Sequence, residues 1–349
     1  MITFVPPKIK QAINRYENHR PIIHQIHPGR QPDERMGQAR KAFFFLTDFE
    51  AGQCFVETTD SLPVGELQFE FPDISHRGKQ KQTEMPEKIR WVMHPESFET
   101  YRRSFDIVRR NILAGNSFLT NLTCQTPIET NLSLLQIFEH ARARYKLWIK
   151  DKFVVASPET FVRIHNGYIY AYPMKGTIDA SLPDADKQLL NDPKETAEHA
   201  TITDLIRNDL SRFSQEVTVT RFRYLDKLRT HRGALWQMSS EIRGRLPDNY
   251  RELLGILLFG MLPAGSISGA PKKKTVEIIR EAENYRRGFY TGVMGYFDGT
   301  NLDSAVMIRF IEQGTDGMLA FKSGGGITFQ SDARSEYEEM KQKVYVPIY

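Results

Sequence analysis

Apolar positions along the chain follow two rhythms, one helical and one alternating. In residues 97–114, Phe98, Tyr101, Phe105, Val108 and Ile112 recur at helical spacing and Gly115 ends the run, so the pattern predicts a helix. Ser133 can cap a second helix with Leu134, Ile137, Phe138, Ala141 and Tyr145 on its apolar face. Asp192-Pro193-Lys194-Glu195 opens a third, with Asp192 at the N-cap, Pro193 in the first turn and Glu195 completing a capping box. Ile202, Leu205 and Ile206 form its apolar face. Residues 253–262, interrupted by Gly255 and Gly260, are too short to cross a bilayer and read as a buried helix. Pro271 opens a helix through Val276, Ile278 and Ile279, and Asp332 caps a last one.

Strands fill the intervals. Residues 41–46, 67–71 and 118–124 read as strands, and Asn166-Gly167, Asp298-Gly299 and Asp316-Gly317 as hairpin turns. Residues 76–86 are polar and turn-rich, as in a loop. Antiparallel hairpins alternating with helices, without internal repeat, argue for an α+β fold rather than a doubly wound parallel sheet.

The Asn166-Gly167 turn has a further consequence. It sets a register in which paired residue numbers sum to 333, placing Glu159 opposite Met174, one step from Lys175. Neighbouring residues face opposite sides of a strand, so a bulge is needed to bring Glu159 and Lys175 together, and Pro158 and Pro173 already interrupt regular pairing there. Two readings stay open: charged residues at a solvated strand end, or a nucleophilic Lys beside a carboxyl acid.

Composition narrows the class. The chain has 349 residues, 40% hydrophobic and 26% charged, as in a soluble globular protein. A net charge of +4 on this length does not argue for nucleic acid, and Lys272-Lys273-Lys274 reads as a solvated helix start. Two isolated cysteines, Cys54 and Cys124, fit reduced thiols in the cytoplasm and no zinc site. Residues 1–20 lack the apolar core of an export signal, and no stretch predicts a membrane span.

Several acids then stand out. Glu198 ends the apolar stripe of the third helix and needs a partner if buried. The residues alone favour Arg207 over a metal ion. Glu195/Glu198 and Glu336/Glu339 form an ExxE pair on each of two helices, with Met340 and Lys343 on the same face as the second, a set of hard oxygens that suits Mg²⁺. The Gly-rich residues 261–271 lead into a helix start, where backbone N–H groups can meet an anion, although the P-loop pattern is absent. Gly324-Gly325-Gly326 allow close approach of a ligand to backbone.

Taken together, Pro-Met-Lys-Gly-Thr at 173–177, Ala-Glu-His at 197–199 with Asp-Leu-Ile-Arg-Asn-Asp-Leu, Pro-Ala-Gly-Ser-Ile-Ser-Gly-Ala-Pro-Lys, Arg-Arg-Gly-Phe-Tyr-Thr-Gly, Gly-Gly-Gly-Ile-Thr and Glu-Tyr-Glu-Glu resemble the chorismate-utilising enzymes. The resemblance covers about residues 95–349, a motif-bearing core; residues 1–94 are poorly defined and suggest no chemistry, and the whole 1–349 is expected to form one catalytic domain. It implies a sandwich of mainly antiparallel sheets with outer helices around one site. It reverses the preference for Arg207, making Glu198 and Glu339 ligands of Mg²⁺, with Glu195 and Glu336 holding its waters. Tyr290, Arg309, Lys343 and the Gly324, Gly325 and Gly326 backbone match groups that hold the chorismate carboxylates, and Thr177 and Ser268 match polar contacts to substrate.

Within the family, Lys175 points to the aminodeoxychorismate synthases, since anthranilate synthases carry Ala there. The implied chemistry is attack by a neutral Lys175 amine of lowered pKa, with Glu159 protonating the departing hydroxyl. The isochorismate and salicylate branches carry a Lys base where Leu119 stands, a departure that favours ammonia over water. Relatives often have a His near Trp236-Gln237, which this chain lacks. No tryptophan-binding signature and no glutaminase signature is recognised, so ammonia is expected from a separate glutamine amidotransferase. Anthranilate synthase component I and a chorismate-binding protein without turnover are the alternatives.

Overall fold

The computed structural model describes residues 27–28, 41–78, 82–230, 233–345 and 348. Residues 1–20 and the middle of the polar stretch 76–86 lie outside them.

Two antiparallel sheets face each other. The first runs in the order His27–Pro28, Gln53–Thr58, Phe43–Thr47, Val293–Phe297, Leu302–Val306, Thr160–His165, Tyr168–Ala171, Gly233–Arg245. Met174–Asp179 and Gln215–Thr230 also pair with Gly233–Arg245. The second runs Gly269–Ala270, Leu119–Thr130, Leu319–Ile327, Phe310–Gln313, Phe153–Ser157, Tyr145–Ile149, Leu67–Phe71, Ile74–His76, with Trp91–Met93 on Leu119–Thr130.

The run Phe43-Phe44-Phe45-Leu46 shows why the layers stack. Phe44 and Leu46 pack between the sheets with Leu67, Phe69, Leu147, Val155 and Phe310. Phe43 and Phe45 turn outward, into a cluster with Leu210, Leu257 and Leu258. A strand covered on both faces needs apolar residues at every position, and each fully buried side chain contributes roughly 1.5–3 kcal/mol.

Seven helices are named here in chain order: α1 (Phe98–Leu113), α2 (Leu134–His140), α3 (Ala185–Asn191), α4 (Pro193–Ser211), α5 (Leu254–Gly260), α6 (Lys272–Ala282) and α7 (Ala333–Gln342). α1, α6 and α7 cover the second sheet, burying Tyr101, Phe105, Val108, Ile278 and Met340 against Leu122 and Ile327. α4 and α5 cover the first. This is the α+β sandwich with outer helices. Ser133, Asp192 and Asp332 accept a capping bond, as their positions predict, and Ser97 does the same at the start of α1. Among the described residues no helix is long and apolar enough to cross a membrane.

Three local expectations are corrected. Tyr145 begins a strand, because the chain is already extended at Ala141. The α4 capping box is half made: Asp192 accepts from Glu195 N at 2.9 Å, but the Glu195 carboxylate turns toward Gly176. Lys272 is not solvated; it pairs with Asp209 at 2.7 Å and donates to Met261 O.

The central hairpin keeps its register, with Arg163 opposite Tyr170 and positive φ at Asn166 and Gly167. Beyond Arg163 the two strands part. Thr160 pairs with Ala305, and Met174 pairs with Ser239, so Glu159 does not face Met174. A bulge does occur at Lys175-Gly176, where the register shifts between Met174↔Ser239 and Thr177↔Gln237. Gly176 has φ +91, and a Cβ there would stand 2.9 Å from Glu195 Oε2 and 3.2 Å from Met238 Cε. Buried His199 fastens the bulge: its Nδ1 lies 3.2 Å from Lys175 O and its Nε2 2.7 Å from Ser240 Oγ.

Gly115 also has positive φ but has open space around it. Both Gly→Ala changes incur the backbone cost of about 1–2 kcal/mol. Only Gly176→Ala adds a steric conflict, so its urea midpoint should fall further than that of Gly115→Ala. Equal losses would show that the bulge has room for a side chain.

Candidate active site

A cavity of about 190 Å³ opens between the sheets' ends. It brings together Glu159, Tyr290, Arg309, Gly324, Gly325, Gly326 and Lys343, all singled out from sequence, with Asn121, Ser266 and Lys322. Packing requires glycine at 324, and Gly325 stands next to the charged groups. A Cβ on Gly324 would lie 2.2 Å from Leu122 O on the paired strand. One on Gly325 would lie 3.3 Å from Glu336 Oε2, 3.6 Å from Glu339 Oε1 and 3.7 Å from Lys343 Nζ. Arg309 adopts φ +51, a strained conformation for a non-glycine residue, at the corner before Phe310–Gln313.

Glu159 is placed by backbone and loop. Its carbonyl accepts from Val306 N at 3.1 Å, and its carboxylate accepts a short bond from Ser266 Oγ. Burial raises its pKa; the Ser266 bond and nearby Arg309 offset this only in part. The group is suited to hold a proton and to release it to a leaving group. Burial likewise raises the Tyr290 phenol, which remains a donor.

The four paired acids gather beside this cavity. Lys175 Nζ lies 2.8 Å from Glu198 Oε2. Lys343 Nζ lies 2.7 Å from Glu339 Oε1 and 2.8 Å from Gly324 O. Ser331 donates to Glu336 at 2.7 Å. Glu195 Oε2 is buried with no hydrogen-bond partner among the described residues. Arg207 pairs with Asp204 at 2.7 Å, so it is not the partner of Glu198. The expected lowering of the Lys175 pKa is also corrected. Burial pushes it down, but Glu198, then Glu195 and Glu339, outweigh burial and leave it raised. Burial raises Glu195 and Glu336; for Glu339 the opposing pull of Lys343 wins and its pKa is lowered.

Among the described residues no three acidic, imidazole or thiol groups close a metal shell, because Lys175 and Lys343 are the counter-ions of Glu198 and Glu339. The donor set is nonetheless all oxygen and includes an orphaned buried carboxylate oxygen. It could hold a hard divalent cation if those lysines withdrew.

Two predicted contacts are not brought to the cavity. Thr177 is exposed and pairs with Gln237. Ser268 is buried and spends its hydroxyl on Ala264 O at 2.8 Å, while Ser266, two residues earlier, reaches Glu159. Nor does Lys175 line the cavity with Glu159; it stands at the acidic side. Leu119 packs at the other end of the glycines, its Cδ1 3.0 Å from a Cβ built on Gly326. Ser266 lay inside a motif already noted, so it was findable. Asn121 and Lys322 sit in ordinary strand patterns that carry no signal.

The raised Glu159 pKa fixes a sign. The stability it contributes is full below the unfolded carboxyl value, about 4.3, and is lost as pH rises through the folded pKa. Glu159→Gln is neutral throughout. Its Tm relative to wild type should therefore be higher at about pH 8 than at about pH 4. A difference independent of pH would show that Glu159 ionises as freely folded as unfolded.

The chain matches the family model described as chorismate binding enzyme over residues 15–348. It is 50% identical over 325 residues, 93% of this chain and 99% of the relative, to an uncharacterised PabA-like protein of Pasteurella multocida. It is 32% identical over 259 residues, 70% of this chain and 56% of the relative, to aminodeoxychorismate synthase component 1 of Salmonella typhimurium, spanning just over half of that protein. Its fold resembles the crystal structure of anthranilate synthase component I from Streptococcus pneumoniae, with a TM-score of 0.62 and 27% identity over 73% of this chain and 58% of that one. From its length-wide match and its assembled site, the chain belongs to the chorismate-binding enzyme family.

Proposed function

We propose that this chain is an aminodeoxychorismate synthase component I, which converts chorismate and ammonia to 4-amino-4-deoxychorismate and water in the cytoplasm, on the route to 4-aminobenzoate and folate. The observation that carries the reading is Lys175 itself: a primary amine on a bulge, held at Glu198 beside the cavity. The family resemblance puts Ala, which has no amine, at this position in anthranilate synthases.

The steps balance within these residues. The neutral Lys175 amine attacks C2 of chorismate, both ring double bonds shift (C1=C2 to C1=C6, C5=C6 to C4=C5), and the C4 hydroxyl leaves as water with the Glu159 proton. Ammonia then attacks C4, the Lys175 nitrogen–C2 bond breaks, and the surplus proton of the added ammonia returns to Glu159. Arg309 can grip one substrate carboxylate with two parallel bonds, while Tyr290, Lys343 and the Gly324–Gly326 backbone hold the rest.

Glu198 and Glu339 would hold Mg²⁺ directly, with Glu195 and Glu336 holding its waters. Bound there, the ion would supply positive charge for a substrate carboxylate. Glu198 could not then keep Lys175 protonated, which is the state in which the amine cannot attack. Ammonia would come from a separate glutamine amidotransferase, a partnership that the PabA-like name of the Pasteurella relative supports.

Product identification after incubation with chorismate, Mg²⁺ and an ammonium salt tests the reading. Aminodeoxychorismate is expected; anthranilate would favour the rival activity instead. Lys175→Ala and Lys175→Arg should both lose most turnover, since a guanidinium keeps the charge but supplies no neutral amine. Near-normal turnover by Lys175→Arg would end the covalent route, and intact-protein mass spectrometry should find the Lys175 adduct in the wild type alone. EDTA should abolish activity and Mg²⁺ restore it, while glutamine without ammonium should support none. Activity in metal-free protein, or from glutamine alone, would overturn those parts of the proposal.

A further inference from the structure

The bulge that carries Lys175 has a counterpart across the sheet. Gly233–Arg245 is flanked by Met174–Asp179 on one side and by Gln215–Thr230 on the other. Both neighbours slip out of register close to Ser239. Lys175-Gly176 bulges between Met174↔Ser239 and Thr177↔Gln237. Phe222-Arg223 bulges between Arg221↔Glu241 and Tyr224↔Ser239. Arg223 has φ +55, a strained conformation for a non-glycine residue.

His199 and Ser240, both fully buried, join the two bulges. Ser240 Oγ accepts from Arg223 N at 3.0 Å and lies 2.7 Å from His199 Nε2. His199 Nδ1 lies 3.2 Å from Lys175 O. These partners place each hydrogen. A carbonyl oxygen only accepts, so Nδ1 carries the ring proton and donates to Lys175 O. The Ser240 hydroxyl has one hydrogen to give and, among the described residues, one acceptor for it, Nε2. We infer that His199, as the neutral Nδ1–H tautomer, is a positioning residue that aims the Lys175 amine at C2 of chorismate. This deepens the proposed function and rests on Lys175 as its nucleophile.

Lys175 needs such a hold. Within the bulge its backbone lies outside the regular ladder, and Gly176 at φ +91 adds no side chain to brace it. Among the described residues the amine's one ion pair is with Glu198, and the proposed reaction gives that contact up. The reach of the free amine then depends on where the backbone directs Cβ. A displacement of about 1 Å at a reacting group can cost about a hundredfold in rate.

Two measurements test the inference. In wild-type protein with ¹⁵N-labelled histidine, two-bond ¹H–¹⁵N correlations should show a ring protonated at Nδ1 and bare at Nε2, absent from His199→Asn. The second is turnover with chorismate, Mg²⁺ and ammonium. The His199→Asn amide sits where Nδ1 does and still donates to Lys175 O, so kcat should stay within about threefold of wild type. The His199→Gln amide sits where Nε2 does and faces Ser240. Its kcat should fall about tenfold or more, with KM for chorismate within about twofold. A merely structural role would affect the two variants alike. If His199→Gln does not fold, Ser240→Ala, which frees the ring to turn from Lys175, takes its place with the same expected split. A His199 protonated at Nε2, or equal kcat in the compared variants, would overturn the inference alone. Anthranilate as the wild-type product would overturn it together with the proposed function.

Discussion

Arg287 and Glu283 form an ion pair 2.6 Å long in which each side chain is only 2% exposed. Such burial is tolerable only when every remaining donor and acceptor is used. Arg287 donates to Ile267 O at 2.9 Å and Asn121 O at 2.7 Å, and its guanidinium lies 4.4 Å from the Phe49 ring centroid. Glu283 accepts from Thr123 N at 2.9 Å, and Lys322 donates to Arg287 O at 3.0 Å. One pair therefore fixes the end of α6, the Gly-rich loop and two strands of the second sheet. The cavity has a defined shape because these pieces cannot move independently. Removing either partner would leave an uncompensated charge, at a cost of about 3–5 kcal/mol.

The site itself is a problem in charge balance. Glu195, Glu198 and Glu336 are half-buried, Glu339 is exposed beside them, and Lys175 and Lys343 offset the cluster. The same lysines are the groups that the chemistry would use. Lys175 is held as an ammonium for as long as Glu198 has no other cation to satisfy. In the proposed reaction, readiness of Lys175 for attack and cation occupation of the acidic cluster would be two aspects of one equilibrium, with Glu198 as the shared partner.

Much of this was legible in the sequence because it is local. Caps at Ser133, Asp192 and Asp332, and the turn at Asn166-Gly167, depend on a few neighbouring residues. The convergence of Glu159, Tyr290, Arg309 and Lys343 followed from motifs whose combination is specific. What was not legible depends on long-range pairing. Glu159 and Lys175 looked like hairpin partners, yet each strand finds a different neighbour, Leu302–Val306 and Gly233–Arg245. The register that makes Ser266 and not Ser268 reach Glu159 is set by the two-residue pairing of Gly269–Ala270 with Thr120 and Leu119. The Lys175 pKa was misjudged for the same reason: burial could be inferred, but the carboxylate beside it could not.

The strand pairings have a consequence for how the protein is made. Phe43–Thr47 pairs with Val293–Phe297, and Leu119–Thr130 with Leu319–Ile327. On a ribosome, the Phe43-Phe44-Phe45-Leu46 strand emerges long before its neighbour in the sheet has been translated. It must wait as an exposed apolar segment, and contacts of such high sequence separation are slow to close. The cavity, which needs both Asn121 and Lys343, can close only once residue 343 has been made, more than two hundred residues after the strand that carries Asn121.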